Sequence, residues 1–153
     1  MLIRLKNKDK LIINDLKLKC CIGKNGVKKQ KIEGDNCTPE GIFTFGAFYY
    51  RKDRVIKPFT NLKTKIIKSN MGWCNDPKKK SYNKEIKIKK KNVYEKLFRK
   101  DHKYDYLLVI NYNNKKIIPG KGSAIFLHLT QNYHSTAGCI ALKKNDFISL
   151  LKL

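Results

Sequence analysis

The sequence predicts a mainly β protein with two short helices. Its apolar residues fall into runs of strand length, several runs alternate with polar residues, and glycine or asparagine separates many of them. The apolar fraction of 41% and the aromatic fraction of 10% indicate a folded chain, because disordered chains lack the residues that form a core. The length of 153 residues suits one compact domain, so we predict a single domain over residues 1–153.

The first third of the chain predicts a meander of antiparallel strands. Residues 2–5 and 11–13 are apolar and flank a polar turn, and apolar residues alternate with lysine or cysteine over residues 16–22. Gly23 and the Asn25-Gly26 pair then supply residues that tolerate the positive φ of a tight turn. These features predict neighbouring strands joined by short turns.

Further apolar runs predict strands in the remainder of the chain, at residues 42–48, 62–66, 106–112 and 123–129. Residues 71–83 are predicted to form a long polar loop, which contains Trp73, the only tryptophan. Loops of this length often carry function, because they present side chains on a rigid scaffold.

Two segments have helical character. The first begins near Asn92, which has Glu95 three residues later in the pattern of a capping box. The apolar residues of this helix share one face, and they are Val93, Tyr94, Leu97 and Phe98. The second helix begins at Asn145 and carries an apolar stripe through Leu153.

The formal net charge of +23 arises from 35 Lys and Arg residues against 12 Asp and Glu residues. Such a charge attracts nucleic acid, anionic membranes or an acidic wall polymer, and it does not choose between them. Nearly all of the basic residues are lysines, a composition that an AT-rich genome also imposes on surface positions. Because nucleic-acid readers favour arginine, we expect no specific nucleic-acid partner.

Membrane spans, export signals and metal sites are not visible in the sequence. No run of about 18 apolar residues occurs, and the N-terminal residues lack the uninterrupted apolar segment of a signal peptide. The five cysteines are an odd number without zinc-ligand spacing, so we predict no metal site and at least one thiol unpaired within the chain. The sequence leaves open the oligomeric state and whether Cys37 pairs with Cys74.

Residues 126–142 carry the candidate chemistry. His128 lies within an apolar run, and after a polar loop small residues lead into Cys139, eleven residues after the histidine. A thiol becomes a competent nucleophile when an imidazole removes its proton, and the imidazolium then lowers the thiol pKa. Gly138 leaves room for a substrate, and the backbone N–H groups of Gly138 and Cys139 are candidates for an oxyanion hole. Taken alone, the pattern also fits a structural histidine and a buried cysteine.

This segment resembles the active-site motif of the L,D-transpeptidase catalytic-domain family, the YkuD-like domains. In that motif an upstream histidine is followed, after a loop, by Ser/Thr-His-Gly-Cys and a short apolar strand. The matching positions in this sequence are His128, Thr136, Gly138 and Cys139. Three further stretches resemble a subgroup of the family in the same order, at residues 31–43, 72–83 and 120–128. The resemblance implies a curved β-sandwich of mixed sheets.

The resemblance also implies a peptidoglycan L,D-transpeptidase that acts on stem peptides in the cell envelope or periplasm. On this resemblance, Cys139 is expected to attack the carbonyl of the third stem residue, usually a diamino acid, with His128 as general base, and the terminal D-alanine is expected to leave. An amine of a neighbouring stem then converts the acyl-enzyme to a cross-link, without a metal or organic cofactor. Three alternatives stay open: an L,D-carboxypeptidase that uses water, another cysteine hydrolase or amidase, and a basic polymer-binding module without chemistry.

The chain departs from the family motif at two positions. Ala137 replaces the histidine before Gly-Cys, Ala141 replaces the arginine common two positions after the cysteine, and the loop is shorter. The resemblance therefore leaves open what holds a substrate carboxylate, for which Arg99 or a lysine is a candidate. Candidate substrate contacts lie in the family-like stretches or in the loop before the cysteine, and they are Trp73, Tyr82, His134 and Thr136.

Overall fold

The computed structural model describes residues 3–89 and 94–153, and in those ranges it contains thirteen strands and one helix. The elements are β1 (Ile3–Lys6), β2 (Lys10–Ile13), β3 (Leu16–Cys21), β4 (Val27–Lys28), β5 (Thr38–Pro39), β6 (Phe45–Tyr50), β7 (Thr64–Ile66), β8 (Met71–Cys74), β9 (Glu85–Lys87), β10 (Tyr94–Lys96), β11 (Tyr106–Ile110), β12 (Phe126–Leu129), β13 (Ile140–Leu142) and α1 (Lys144–Leu151). The mainly β class predicted from the sequence is confirmed.

An eight-stranded sheet organises the molecule, with the strand order β1-β2-β3-β13-β12-β11-β6-β7. The pairs β12/β13 and β6/β7 are parallel, and the other neighbours in this sheet are antiparallel. The first three strands form the predicted meander, and Asn7 and Asn14 adopt positive φ angles of 53° and 51° in its turns. β13 lies in the interior of the sheet, between β3 and β12.

The two faces of this sheet pack against different elements. On one face, Leu108 and Leu127 join a buried cluster with Phe147 of α1. On the opposite face, Leu107 and Phe126 join a cluster with β8, which belongs to a three-stranded sheet of order β10-β8-β9. Because both faces are covered, the central strands are continuously apolar rather than alternating. The result is a β-sandwich, and its second face carries the candidate site.

The helix predicted near Asn92 does not form in the described residues. Tyr94–Lys96 is instead strand β10, which pairs antiparallel with β8, and Leu97 after it is fully buried. Pairing with a strand distant in sequence overrides the helical spacing of the apolar residues, since strand pairing and burial outweigh local propensity. Asn92 and Val93 lie outside the described residues.

The prediction of a polar loop at residues 71–83 is wrong for residues 71–74. Met71–Cys74 forms β8, and all four of its residues are buried. Met71 and Trp73 pack against the second face of the main sheet, an apolar environment that the local sequence does not reveal. Residues 75–83 follow as turns and bends.

Several other elements agree with the sequence-based predictions, whereas β4, β5 and β9 were not predicted. β6, β7, β11 and β12 overlap the four apolar runs predicted as strands. The C-terminal helix is confirmed, since α1 spans Lys144–Leu151 and buries Phe147, Leu150 and Leu151.

All five cysteine thiols are free and buried, so Cys37 and Cys74 are not joined by a disulfide. No helix among residues 3–89 and 94–153 is both long enough and apolar enough to cross a membrane.

Candidate active site

The parallel pair β12/β13 positions the candidate nucleophile and base. Cys139 immediately precedes β13, and Ala141 within β13 lies beside His128 of β12. Because side chains alternate along a strand, Cys139, Ala141 and His128 share one face of the sheet. Leu107 pairs with His128, and Cys21 pairs with Ala141, so they extend the same row. The two candidate catalytic residues therefore project from adjacent strands to the same side.

A cavity of about 910 Å³ lies over this face of the sheet. Its volume is within the range of ligand sites in proteins. Five of the candidate residues named from the sequence line it, namely Arg99, His128, His134, Thr136 and Cys139. Gly138, Trp73 and Tyr82 are not among the described residues that line the cavity, although Gly138 is buried directly before Cys139 in the chain.

The Cys139 thiol is buried and bonded to backbone atoms. It donates to the carbonyl oxygen of Ala124 at 3.3 Å, and the N–H of Phe126 donates to its sulfur at 3.4 Å. Among the described residues, no hydrogen bond joins it to His128. Burial raises the pKa of Cys139 to about 12, because a thiolate loses more solvation than a thiol. This direction is opposite to the lowering that an imidazolium partner would cause, so burial favours the protonated thiol.

The His128 imidazole is also buried and neutral. Its Nδ1 lies 2.9 Å from the carbonyl oxygen of Leu129. Because a carbonyl only accepts hydrogen bonds, the proton is on Nδ1 and the lone pair is on Nε2. Burial lowers the pKa of His128 to about 4, and the nearby cations Lys103 and Arg99 act in the same direction. The ring is thus held in the tautomer that can accept a proton at Nε2.

The aromatic ring of Tyr104 contacts His128 and is itself held in place by its neighbours. The Tyr104 ring packs edge-on against the imidazole, and the Tyr104 hydroxyl donates to Glu95 Oε1 at 2.9 Å. Arg99 donates to the same Glu95 oxygen at 3.1 Å and holds Asp101 through two further hydrogen bonds of 2.9 and 2.7 Å. Glu95 and Tyr104 were not predicted as site residues, because no local sequence pattern places them near Cys139.

The turn before Cys139 is held by two threonines. Thr136 Oγ1 donates to the carbonyl oxygen of Cys139 at 2.6 Å and accepts from the N–H of Gly138 at 3.1 Å. Thr38 Oγ1 donates to the carbonyl oxygen of Gly138 at 2.9 Å. Gly138 has a φ of +142°, and a Cβ there would lie 2.8 Å from the carbonyl oxygen of Cys37. Only glycine fits this position without displacing backbone.

Trp73 and Tyr82 lie outside the cavity lining and hold residues 122–124 in place. The Trp73 Nε1 donates to Asn83 Oδ1 at 2.9 Å, and the same oxygen accepts from the N–H of Ala124 at 3.0 Å. The Tyr82 hydroxyl accepts from the N–H of Gly122 at 3.0 Å, and its side chain is 1% exposed. Both aromatic residues therefore fix the segment that presents the Ala124 carbonyl to the thiol.

The rim of the cavity carries charged and polar side chains. His134 is exposed there, and Lys103 and Lys144 line the same cavity. Among the described residues, no carboxylate lies within ion-pair distance of either lysine. No group of three or more His, Cys, Asp or Glu side chains in residues 3–89 and 94–153 has the geometry of a metal site.

Comparison with known families covers nearly the whole chain. The family model described as the L,D-transpeptidase catalytic domain (YkuD) matches residues 2–153. The chain belongs to the L,D-transpeptidase catalytic-domain family. The resemblance of residues 126–142 to the motif of this family thus extends across the sequence. No curated protein and no solved structure matches the chain.

At Ala141 the chain departs from the motif of the L,D-transpeptidase family. This residue is fully buried between His128 and Cys21, at the position where the family motif commonly has an arginine. Arg99 does not supply a free guanidinium in its place, because Glu95 and Asp101 engage it. The cations at the cavity without an ion-pair partner in the described chain are the rim lysines.

Proposed function

We propose that this protein is a peptidoglycan L,D-transpeptidase of the cell envelope, with one catalytic domain over residues 1–153. It forms cross-links between stem peptides through an acyl-enzyme on Cys139, with His128 as general base. One observation carries the proposal: a buried thiol and a neutral imidazole of fixed tautomer share one face of adjacent parallel strands and one cavity. Family membership supports the reaction class.

The protonation states favour proton transfer during the attack over a preformed ion pair. As the donor peptide binds, the thiol turns from the Ala124 carbonyl toward the Nε2 of His128. The sulfur forms a bond to the peptide carbonyl carbon while its proton moves to Nε2. A preformed thiolate is disfavoured, because burial raises the pKa of the thiol and lowers the pKa of the imidazole. The positive charge on the ring therefore exists only while the tetrahedral intermediate carries a negative charge.

The oxyanion is assigned to the N–H of Cys139. Of the two amides predicted from the sequence, that of Gly138 already donates to Thr136 Oγ1. The intermediate then collapses, the amine of D-alanine takes the proton from His128, and a thioester remains on Cys139. An amine of a second stem attacks this thioester, gives its proton to Nε2, and releases the thiol and the cross-linked product.

Purified peptidoglycan fragments test the proposal when the products are weighed by mass spectrometry. New dimeric fragments are expected. Loss of a single alanine without dimers identifies a carboxypeptidase that uses water on the same acyl-enzyme. No product, together with salt-sensitive binding of the polymer, identifies a basic binding module and contradicts the proposal.

Two thiols on the same sheet face provide a matched pair of variants. Cys139→Ala should abolish turnover and the covalent adduct with a carbapenem, because the nucleophile is gone. Cys21→Ala should retain both, although Cys21 faces the same side across Ala141. A carbapenem adduct on the Cys139→Ala protein would sink the assignment of the nucleophile.

The base is tested by comparing two histidines at the cavity. His128→Ala should lower the rate of acylation by at least about 100-fold, which is the low end of the effect of a general base. His134→Ala should have a clearly smaller effect, since His134 is exposed at the rim. The reverse order of the two effects would transfer the role to the loop histidine.

A further inference from the structure

We propose that the site contains a subsite for a primary ammonium group of the substrate, formed by Glu33, Ser123 and Asn75. This inference rests on the proposed function, because it assumes that peptides enter the cavity above Cys139. All three side chains line that cavity. None of them belongs to the Cys-His pair or to the residues that brace it.

Ser123 provides the first observation. Its side chain is 6% exposed and lines the cavity, yet Oγ has no hydrogen-bond partner among the described residues, although the Tyr82 hydroxyl lies near it. Asn75 Oδ1, also in the cavity lining, is a second buried polar atom without a partner. Such orphan atoms are uncommon, because each loses its hydrogen bonds to water without a replacement. The next residue after Ser123, Ala124, accepts the hydrogen bond of the Cys139 thiol, so Ser123 adjoins the reacting centre.

Glu33 provides the second observation. Four carboxylates line the cavity, and Glu95, Asp101 and Asp105 each have a cation partner. Glu33 has none within ion-pair distance in the described chain, although the protein has 35 Lys and Arg residues. Its Oε2 accepts from the Tyr82 hydroxyl, and no described donor engages its other oxygen.

The loop that carries Glu33 is preorganised. Asp35 accepts from the N–H of Ile32 at 2.9 Å, from the N–H of Cys37 at 3.0 Å and from Lys31 Nζ at 2.6 Å. The N–H of Glu33 itself donates to the carbonyl oxygen of Gly120 at 2.8 Å. A carboxylate held in this way recognises a ligand with little loss of conformational entropy.

The chemistry of these atoms selects a cation with several N–H donors. The free carboxylate oxygen of Glu33 is negative, and Asn75 Oδ1 and Ser123 Oγ are acceptors. A primary ammonium group carries three donors and one positive charge, so it matches these three acceptors in number and neutralises the charge of Glu33. A diamino acid in the donor stem and the attacking amine of an acceptor stem both carry such a group.

Two donor tetrapeptides that end in D-alanine test the subsite. They have lysine or norleucine at the residue whose carbonyl is attacked, so they differ by the ammonium group. We expect the wild-type protein to prefer the lysine peptide by at least about 10-fold in kcat/KM for release of D-alanine. Glu33→Gln should remove most of this preference by slowing the lysine peptide, because glutamine keeps the hydrogen bond from Tyr82 but loses the charge. Equal effects on both peptides would overturn the proposal.

The half-reaction that is slowed by Glu33→Gln identifies which stem supplies the ammonium group. A preference in the acylation step assigns the group to the donor stem. A Glu33→Gln effect confined to aminolysis of the thioester assigns it to the acceptor stem. Glu40→Gln is the matched control, since Glu40 is exposed and outside the cavity lining, and it should change neither step.

Ser123→Ala gives a readout that a structural role would not produce. Removing this hydroxyl should weaken the lysine peptide while changing Tm little, because Ser123 Oγ makes no hydrogen bond of good geometry within the described protein. A lower Tm with an unchanged lysine preference would contradict a binding role for Ser123.

A separate pair of experiments distinguishes the subsite from the proposed function. Adduct formation with a carbapenem that has no amine tests the proposed function alone. Calorimetric titration of the Cys139→Ala protein with both peptides tests the subsite even if no adduct forms. Equal affinity for the two peptides there would reject the subsite.

Discussion

The ring of Tyr104 packs against the imidazole of His128 with the ring centroids 5.3 Å apart and the planes inclined by 65°. The imidazole is therefore fixed on two sides, by this ring and by the hydrogen bond from Nδ1 to the Leu129 carbonyl. Tyr104 is itself fixed by Glu95, which Arg99 holds. General-base catalysis requires such a fixed ring, because small displacements of the acceptor nitrogen lower the rate of proton transfer.

Tyr104→Ala should slow acylation more than Tyr104→Phe does. Alanine leaves a cavity beside His128 and should cost about 3–5 kcal/mol of stability, whereas phenylalanine keeps the ring contact and loses only the hydroxyl. Acylation is measured as carbapenem adduct against time, at a temperature where both variants are folded by circular dichroism. A folded Tyr104→Ala protein that acylates at the wild-type rate would show that the ring contact has no role in orienting the base.

Alkylation of Cys139 should become faster with pH without a plateau near neutrality. Since burial raises the pKa of this thiol to about 12, the thiolate fraction increases about tenfold per pH unit throughout the accessible range. The rate with iodoacetamide is measured between about pH 6 and 10 by mass spectrometry of the peptide that contains Cys139, because Cys37 and Cys74 are also free thiols. A plateau above about pH 7 would indicate a preformed ion pair with His128.

Stability should fall as the pH decreases from 6.5 toward 4. Burial lowers the pKa of His128 in the folded protein to about 4 from the ordinary value of 6.5. The unfolded chain binds a proton in this window and the folded protein does not, so protonation favours unfolding. The expected loss is roughly 3 kcal/mol between neutral pH and pH 4, measured by urea unfolding.

His128→Asn separates this effect from other titrations. The variant should lose most of the pH dependence in the window, since asparagine does not titrate. Asp35 and Asp53 contribute at lower pH, because hydrogen bonds and nearby cations lower their pKa values from 3.8 to about 2. Identical pH profiles for the variant and the wild type would show that His128 is not the group responsible.

Gly138→Ala should destabilise the protein by more than the conformational cost of its φ angle. The added Cβ would lie 2.8 Å from the carbonyl oxygen of Cys37. Gly34→Ala is the control, because Gly34 also has a positive φ, of +78°, but has open space around its Cβ position. We expect about 1–2 kcal/mol for the control and a larger loss for Gly138→Ala, measured by thermal unfolding.

The sequence was sufficient for the elements that depend on local patterns. Alternation of apolar and polar residues indicated the first three strands, and the segment of residues 126–142 indicated Cys139 and His128. β8 and β10 could not be predicted, because each is stabilised by pairing with the other across about twenty residues of sequence. Spacing that suits an apolar helix face can equally describe a strand followed by a buried leucine.

The surroundings of the two catalytic candidates were beyond sequence reasoning for a related reason. Tyr104 and Glu95 reach the site only because β10 and the segment before β11 fold over the second face of the sheet. The raised thiol pKa also depends on burial, which a motif does not report. The sequence makes Arg99 a candidate for binding a substrate carboxylate, but Arg99 forms ion pairs with Glu95 and Asp101 instead.

The location of β13 between β3 and β12 has a consequence for biosynthesis. Of the strands in the described chain, β13 is the last to leave the ribosome, yet it fills an interior position of the sheet. Until it is added, β3 and β12 have unpaired edges, and Cys139 is not beside His128. Closure of the sheet pairs β13 with β3, whose residues lie about 120 positions earlier in the sequence, and long-range pairing of this kind is expected to be slow. A chain truncated before β13 is therefore expected to lack the strand pairing that places the Cys139 thiol on the same sheet face as the His128 imidazole.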